Sequence, residues 1–249
     1  GRAYWLVTDQ AHTLDFSGQT VFPSSGGSYA LTLSPGWNQV GNPFPFSVDV
    51  SAVRIRSGSV THTLTEAATA GLIESQPLHA YTGSGYTTGE QHMAPWTGYF
   101  VANLGSQAIE LLVPHRESSG EPGPAVGPLS AGRAGEAAAT APVNPADWFI
   151  RLVAVWEGGS RAVEIGARSS ASEGWDPLDQ LAPPPPLERD GELYTRNHRL
   201  SPALSALQRD IRPVRDPGEC WEIELGGDPS GTTTLRGDAI SGLPPGYRA

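Results

Sequence analysis

Between Pro114 and Pro145 the chain carries no aromatic residue at all. Ser118-Ser119-Gly120-Glu121-Pro122-Gly123-Pro124 gives way to an Ala-, Gly- and Glu-rich run that ends at Ala141-Pro142. The few aliphatic side chains scattered through it cannot offset the entropy of ordering about 30 residues. This predicts a flexible Pro/Gly/Ala-rich linker over 115–145, with a β-rich module over 1–114 and a second module over 146–249. The other reading is a functional loop, but structureless segments of this length are uncommon inside a compact domain. A chain of 249 residues is long enough for two cores of ordinary size.

Hydrophobic periodicity within the modules points to strands. In the first, period-two alternation runs through Tyr29-Leu31-Leu33, Val53-Ile55, Val60 to Leu64, Tyr99-Val101 and Ile109-Leu111-Val113, as strands with one buried face require. Ala3-Tyr4-Trp5-Leu6-Val7 is strand-like as well. Ser24-Ser25-Gly26-Gly27, Ser34-Pro35-Gly36, Arg56-Ser57-Gly58-Ser59 and Gly83-Ser84-Gly85 stand between them as turns. Thr65 to Gly71 is the one stretch suited to a short helix. The second module continues with Trp148-Ile150-Leu152, Val163-Ile165 and Trp221-Ile223-Leu225 set against Glu222 and Glu224. Pro183 to Pro186 must be extended and cannot pair as a central strand. Thirty Gly and 23 Pro against 38% hydrophobic residues suit many short strands joined by turns. The expected fold class is all-β, with two β-sandwich-like modules, the second immunoglobulin-like and truncated at its C-terminus, where Tyr247-Arg248-Ala249 opens a strand that stops at once.

Two phrases carry a resemblance. Gly36-Trp37-Asn38-Gln39-Val40-Gly41-Asn42-Pro43-Phe44-Pro45-Phe46 and Ala94-Pro95-Trp96-Thr97-Gly98-Tyr99-Phe100-Val101-Ala102-Asn103 resemble a pattern found in β-modules of large secreted or cell-surface bacterial proteins, often those with C-terminal sorting domains. The resemblance implies a secreted or surface location and a modular architecture; it brings no catalytic residue or ligand with it. By their own chemistry, the two prolines flanking Phe44 make a rigid corner, with Trp37, Phe44, Phe46 and Trp96 expected to anchor the core around it.

Charge and composition exclude several kinds of chemistry. All 16 basic residues are Arg, they are outnumbered by 26 Asp and Glu, and the net charge of −10 argues against a nucleic-acid partner. A phosphate-binding Walker loop needs the lysine this chain lacks. The single cysteine, Cys220, forbids an intrachain disulfide and reads as a small core residue. His12, His62, His79, His92, His115 and His198 show no metal-binding spacing. A Ser-His-Asp triad needs no fixed spacing, although Gly83-Ser84-Gly85 is not a nucleophile elbow. Asp176 and Asp179, with Glu173 and Asp190 nearby, could offer hard oxygens to a cation. No apolar run approaches the roughly 18–20 residues of a membrane span.

The leading expectation is a non-catalytic extracellular module pair without a cofactor, serving as spacer, adhesion surface or assembly element. Its partners would be other domains of a parent chain, or neighbouring chains met through strand edges. The alternative is a carbohydrate-binding module with a platform drawn from Tyr81, Tyr86, Trp96 and Tyr99. The third is an accessory domain of a secreted hydrolase.

Overall fold

The computed structural model describes residues 2–4, 27–82, 85–118, 147–185, 191–215, 219–227, 229 and 231–241. The fold is all-β, and the chain divides into two compact units, Gly1–Gly132 and Arg133–Ala249. Most of the expected linker, the strand expected at Trp5-Leu6-Val7, and the terminal Tyr247-Arg248-Ala249 lie outside the described residues. Among those described, no helix is long and apolar enough to cross a membrane.

The first unit contains β1 (Ser28–Leu33), β2 (Gly36–Gly41), β3 (Val48–Asp49), β4 (Arg54–Ser57), β5 (Val60–Thr63), a helix α1 (Leu64–Thr69), β6 (His79–Tyr81), β7 (Tyr86–Thr87), β8 (His92–Met93), β9 (Gly98–Asn103) and β10 (Ile109–Pro114). The helix starts where a capping box allows: the Thr63 hydroxyl accepts from the Glu66 amide while the Glu66 carboxylate accepts from the Thr63 amide. Strand order is β1-β10-β4-β5 in one sheet and β2-β9-β6-β7 in another, with β3-β8 as a small third ladder. Ser34-Pro35-Gly36 therefore does not close a hairpin; it carries the chain from one sheet to the other. One core lies between the sheets, where Leu31, Leu33, Ile55, Ile109, Leu111 and Val113 meet Val40, Ala80, Tyr99 and Val101.

The second unit contains β11 (Trp148–Trp156), β12 (Gly159–Arg168), β13 (Gln180–Leu181), β14 (Glu192–Arg196), β15 (Ala206–Pro213), β16 (Glu222–Gly226) and β17 (Thr234–Ser241). Hydrogen bonds connect them in the order β16-β14-β15-β12-β11-β17, with β13 also on β15. The central device is β15. Ala206 and Leu207 pair with β14, whereas Arg209 to Pro213 pair with β12 in parallel. A strand that changes partner along its length folds one sheet into two layers. The layers meet where Trp221 stands edge-on to Trp148, with ring centroids 5.3 Å apart, and where Ile223 joins Leu152 against Ile150 and Val163. The layering is sandwich-like, but the parallel β12–β15 pair departs from the expected immunoglobulin order, whose two sheets are antiparallel.

Gly166 shows how closely β11 and β12 approach. It stands opposite Phe149 in the ladder, and a Cβ placed on it would sit 2.4 Å from the Trp148 carbonyl oxygen and 3.0 Å from the Phe149 Cα. Both obstacles are backbone, so no side-chain rotation relieves them. Gly166→Ala is expected to destabilise the second unit by about 2–3 kcal/mol, read as a lower urea midpoint; an unchanged midpoint would mean the ladder yields freely.

Candidate functional site

Alternation gives the β2-β9-β6-β7 sheet an outer face opposite the core. Trp37, His79, Phe100, Tyr81 and Tyr86 share it, by the register His79↔Phe100 and Tyr81↔Tyr86. Trp37 stands edge-on to both His79 and Phe100, at centroid distances of 5.1 and 6.2 Å, and is half-buried rather than part of the core. Tyr86 contacts Tyr81 and Phe100 at 5.4 and 5.8 Å. Beneath these rings His79 Nε2 lies 2.7 Å from Glu74 Oε2, with side chains only 2% and 6% exposed. The sequence offered no signal for this pair, because five residues of separation match no motif.

Of the four expected platform rings, Tyr99 is buried in the core, at 2% exposure, and cannot stack on a ligand. β9 explains this: Tyr99 and Phe100 are neighbours in a strand and must face opposite ways. Tyr81 and Tyr86 are half-buried against each other. Trp96, expected in the core, is instead 78% exposed.

The turn that holds Trp96 is fixed from below. The Tyr99 hydroxyl accepts from the Ala94 amide at 2.8 Å. Asn42 donates through Nδ2 to the carbonyls of Met93 and Phe46, both at 2.7 Å, and accepts from the Phe44 amide at 3.0 Å. The proline corner and the Trp96 turn, the two phrases of the resemblance, are thus stitched together by one side chain. Phe44 and Phe46 do anchor the corner, stacked 5.2 Å apart. Trp96 itself has φ +63° and is the one non-glycine residue with positive φ among those described. For a bulky residue that conformation costs of order 1–3 kcal/mol, and ring burial does not offset it here. Beside the turn, Ala3 lies over the opposed glycines of β2 and β9: its Cβ is 3.1 Å from where a Cβ on Gly98 would be and 3.6 Å from one on Gly41. Tyr4, the next residue, is 79% exposed.

At the end of the first unit the fold does gather a Ser, a His and an Asp. Ser118 Oγ donates to Asp49 Oδ1 at 2.6 Å and lies 3.0 Å from His92 Nδ1, and the same ring nitrogen is 2.9 Å from Asp49 Oδ1. A nucleophilic triad needs serine and carboxylate on opposite nitrogens, so that the imidazole can take the serine proton. Here both crowd one nitrogen and the serine proton points at the carboxylate. The Ser118 hydrogen bond first, and then the His92 charge, outweigh desolvation and hold Asp49 below the usual carboxylate range. With the Ser118 amide donating to the Ser47 carbonyl at 2.8 Å, the triangle ties residue 118 to β3 and β8.

The second unit buries a larger polar network. Asp210, fully buried, accepts from Arg212 Nη2 at 2.7 Å and Nε at 3.1 Å, from Asn197 Nδ2 at 3.3 Å and from Thr195 Oγ1 at 3.4 Å. Arg212 also donates to the Cys220 carbonyl at 2.9 Å and to Glu219 at 3.3 Å, and lies 5.0 Å from the centre of the Trp221 ring. Cys220 itself is exposed, not the core residue expected: the strict alternation starts at Trp221, which turns its neighbour outward. Asp179 accepts from the amides of Ile211 and Asp176 at 2.9 and 3.0 Å. Burial, helped by the charges of Asp176 and Asp210, pushes its carboxyl up to about 7. Asp176 caps the amides of Leu178 and Ser172 at 2.7 and 2.6 Å. Of the oxygens considered for a cation, those of Asp176 and Asp179 are thus occupied by backbone amides, Glu173 faces Arg199 and Arg215, and Asp190 lies outside the described residues; among the described residues no three His, Cys, Asp or Glu side chains are grouped to hold a metal ion.

No protein-family model matches the chain, nor does any curated protein or solved structure.

Proposed function

We propose that this chain is a non-catalytic extracellular module pair of a larger secreted or surface protein, acting as spacer, adhesion or assembly element. The observation that supports it most is the direction of its polar groups. Asp179 and Asp176 accept from backbone amides, Asp210 is sealed against Arg212, Asn197 and Thr195, and Ser118, His92 and Asp49 bond one another, as groups serving a scaffold do. The rings of the outer face and the Asn42 clasp do similar structural work.

Contact through strand edges is less favoured than contact through the surface of the first unit. Among the described residues β16 and β17 end the strand path of the second unit. β16 presents Glu222 and Glu224, and β17 carries an irregularity at Asp238, which has no partner in its ladder with β11. Edge charges and bulges both discourage strand addition. The second reading, carbohydrate binding, is favoured by the exposed, strained Trp96; an accessory hydrolase domain comes third.

The test is turnover. The purified chain is expected to leave panels of glycoside, ester and peptide substrates intact. Hydrolysis that disappears in Ser118→Ala or Asp179→Asn would replace this reading with an enzymatic one.

A further inference from the structure

We infer that the loop Ser172–Asp179 is a proton-operated latch on the second unit: with the Asp179 carboxyl protonated it lies closed against β15, and with the carboxylate ionised it swings open while the rest of the unit stays folded.

The geometry of the closed form carries this. β13 pairs with β15 only at Leu207 and Arg209 and does not reach Ile211. There the Asp179 side chain takes the place of a strand carbonyl, its Oδ1 accepting from the Ile211 amide at 2.9 Å. Its Oδ2 accepts from the Asp176 amide at 3.0 Å, the Asp179 amide donates back to the Asp176 carbonyl at 3.0 Å, and the Asp176 carboxylate holds the amides of Ser172 and Leu178. The loop is therefore one hydrogen-bonded piece whose buried attachment to β15 is the bond from Asp179 to Ile211. At one end it meets a turn, where the Ala171 amide donates to the Arg168 carbonyl at 3.1 Å. At the other it meets β13, two residues long with a register shift. Neither end belongs to the β11–β12 ladder, so the loop can open locally.

Charge decides which form is stable. Asp179 is 8% exposed, and among the described residues the charged groups that face it are carboxylates, Asp176 on its own loop and Asp210 on β15. Arg212, the next cation along β15, is committed to Asp210 and Glu219, and β14 contributes the neutral Thr195 and Asn197 to this cluster. Glu173, also on the loop, meets Arg199 and Arg215, all three more than a third exposed, and such pairs hold weakly. An ionised Asp179 is thus a buried charge among like charges; burial first, then those charges, push its carboxyl up to about 7. Moving the loop into water relieves both. The closed loop also buries Trp175 Nε1 with no hydrogen-bond partner among the described residues, a cost that opening removes as well.

Hydrogen exchange of the full chain, followed by NMR from pH 5 to pH 8 and divided by the rates of an unstructured chain, tests this. The Ile211 and Leu178 amides are expected to share one opening constant that rises about tenfold per pH unit up to about pH 7 and then levels, because the open form releases the proton that the closed form keeps. At pH 7 they should open at least about tenfold more often than the slowest amides of the β11–β12 ladder, which marks the opening as local. Asp179→Asn, which carries no charge, should show no such rise. The latch is overturned if the wild-type Ile211 opening is flat with pH, if that amide opens only together with the β11–β12 ladder, or if Asp179→Asn keeps the rise. The first two outcomes are read on the wild type and decide the matter even if the variant does not fold.

Discussion

Arg212→Ala is expected to lower the stability of the second unit by about 3–5 kcal/mol, the usual cost of removing one partner from a buried ion pair. Asp210 is fully buried and Arg212 is 6% exposed. Without the guanidinium the carboxylate keeps only the longer bonds from Asn197 and Thr195, at 3.3 and 3.4 Å, and the Cys220 carbonyl and Trp221 ring lose a neighbour. Most of the cost is the charge left unpaired. The double variant Asp210→Asn/Arg212→Met should therefore recover part of the loss, since it leaves no buried ion. Arg212→Lys should fall between, because an ammonium cannot make the planar fork. Urea denaturation reads all three; a loss below about 1 kcal/mol for Arg212→Ala would mean that water enters and solvates Asp210. Arg236–Asp238 is the contrasting case, with side chains 62% and 49% exposed, and breaking it should change little.

Stability is also expected to fall as pH rises from about 4 to about 7, through Asp179. Its carboxyl titrates near 3.8 when unfolded and is pushed up to about 7 in the fold, with burial as the leading cause. Between those values the folded state binds the proton and the unfolded state does not, so raising the pH favours unfolding. Below the lower value both states are protonated and the stabilising contribution is fully present; above the upper value it is lost. A difference of that size between folded and unfolded chain corresponds to at most about 4 kcal/mol. Asp179→Asn mimics the protonated form, one carbonyl oxygen with no charge, and should lack this slope. The difference between wild type and variant, followed from pH 4 to 8, cancels every other titrating group that the substitution does not disturb. The variant should gain on the wild type as pH rises, and parallel curves would mean that Asp179 ionises normally.

Local patterns were readable where their cause is local. Period-two alternation located most strands, since a pleated chain with one buried face must alternate. The helix near Thr65 was readable too, although the capping pair Thr63 and Glu66 moves its start to Leu64. The proline corner was legible as a rigid bend, and Phe44 is buried there as expected.

Which aromatic goes inward was not readable. Trp37, Phe44, Trp96 and Tyr99 sit in two similar phrases, yet one is half-buried on the outer face, two are in the core and one stands in solvent. Alternation tells that a strand has two faces, but only the packed partner sheet decides which of them is covered. The same limit hid the Ser118 triangle and the Glu74–His79 pair, whose members meet because β3, β8 and β6 are placed by long-range pairing.

Side-chain period, fixed proline φ and composition were enough to establish that this chain is all-β, that it bends at Pro43 and Pro45, and that it carries no lysine-dependent chemistry. Long-range packing settled the rest: β15 changes partner and folds one sheet into two layers, Asp210 and Arg212 are sealed inside, and Trp96 is held open on a strained turn. Each of these depends on contacts between residues far apart in the chain, and such contacts are selected by the packing of the whole unit rather than by any local pattern.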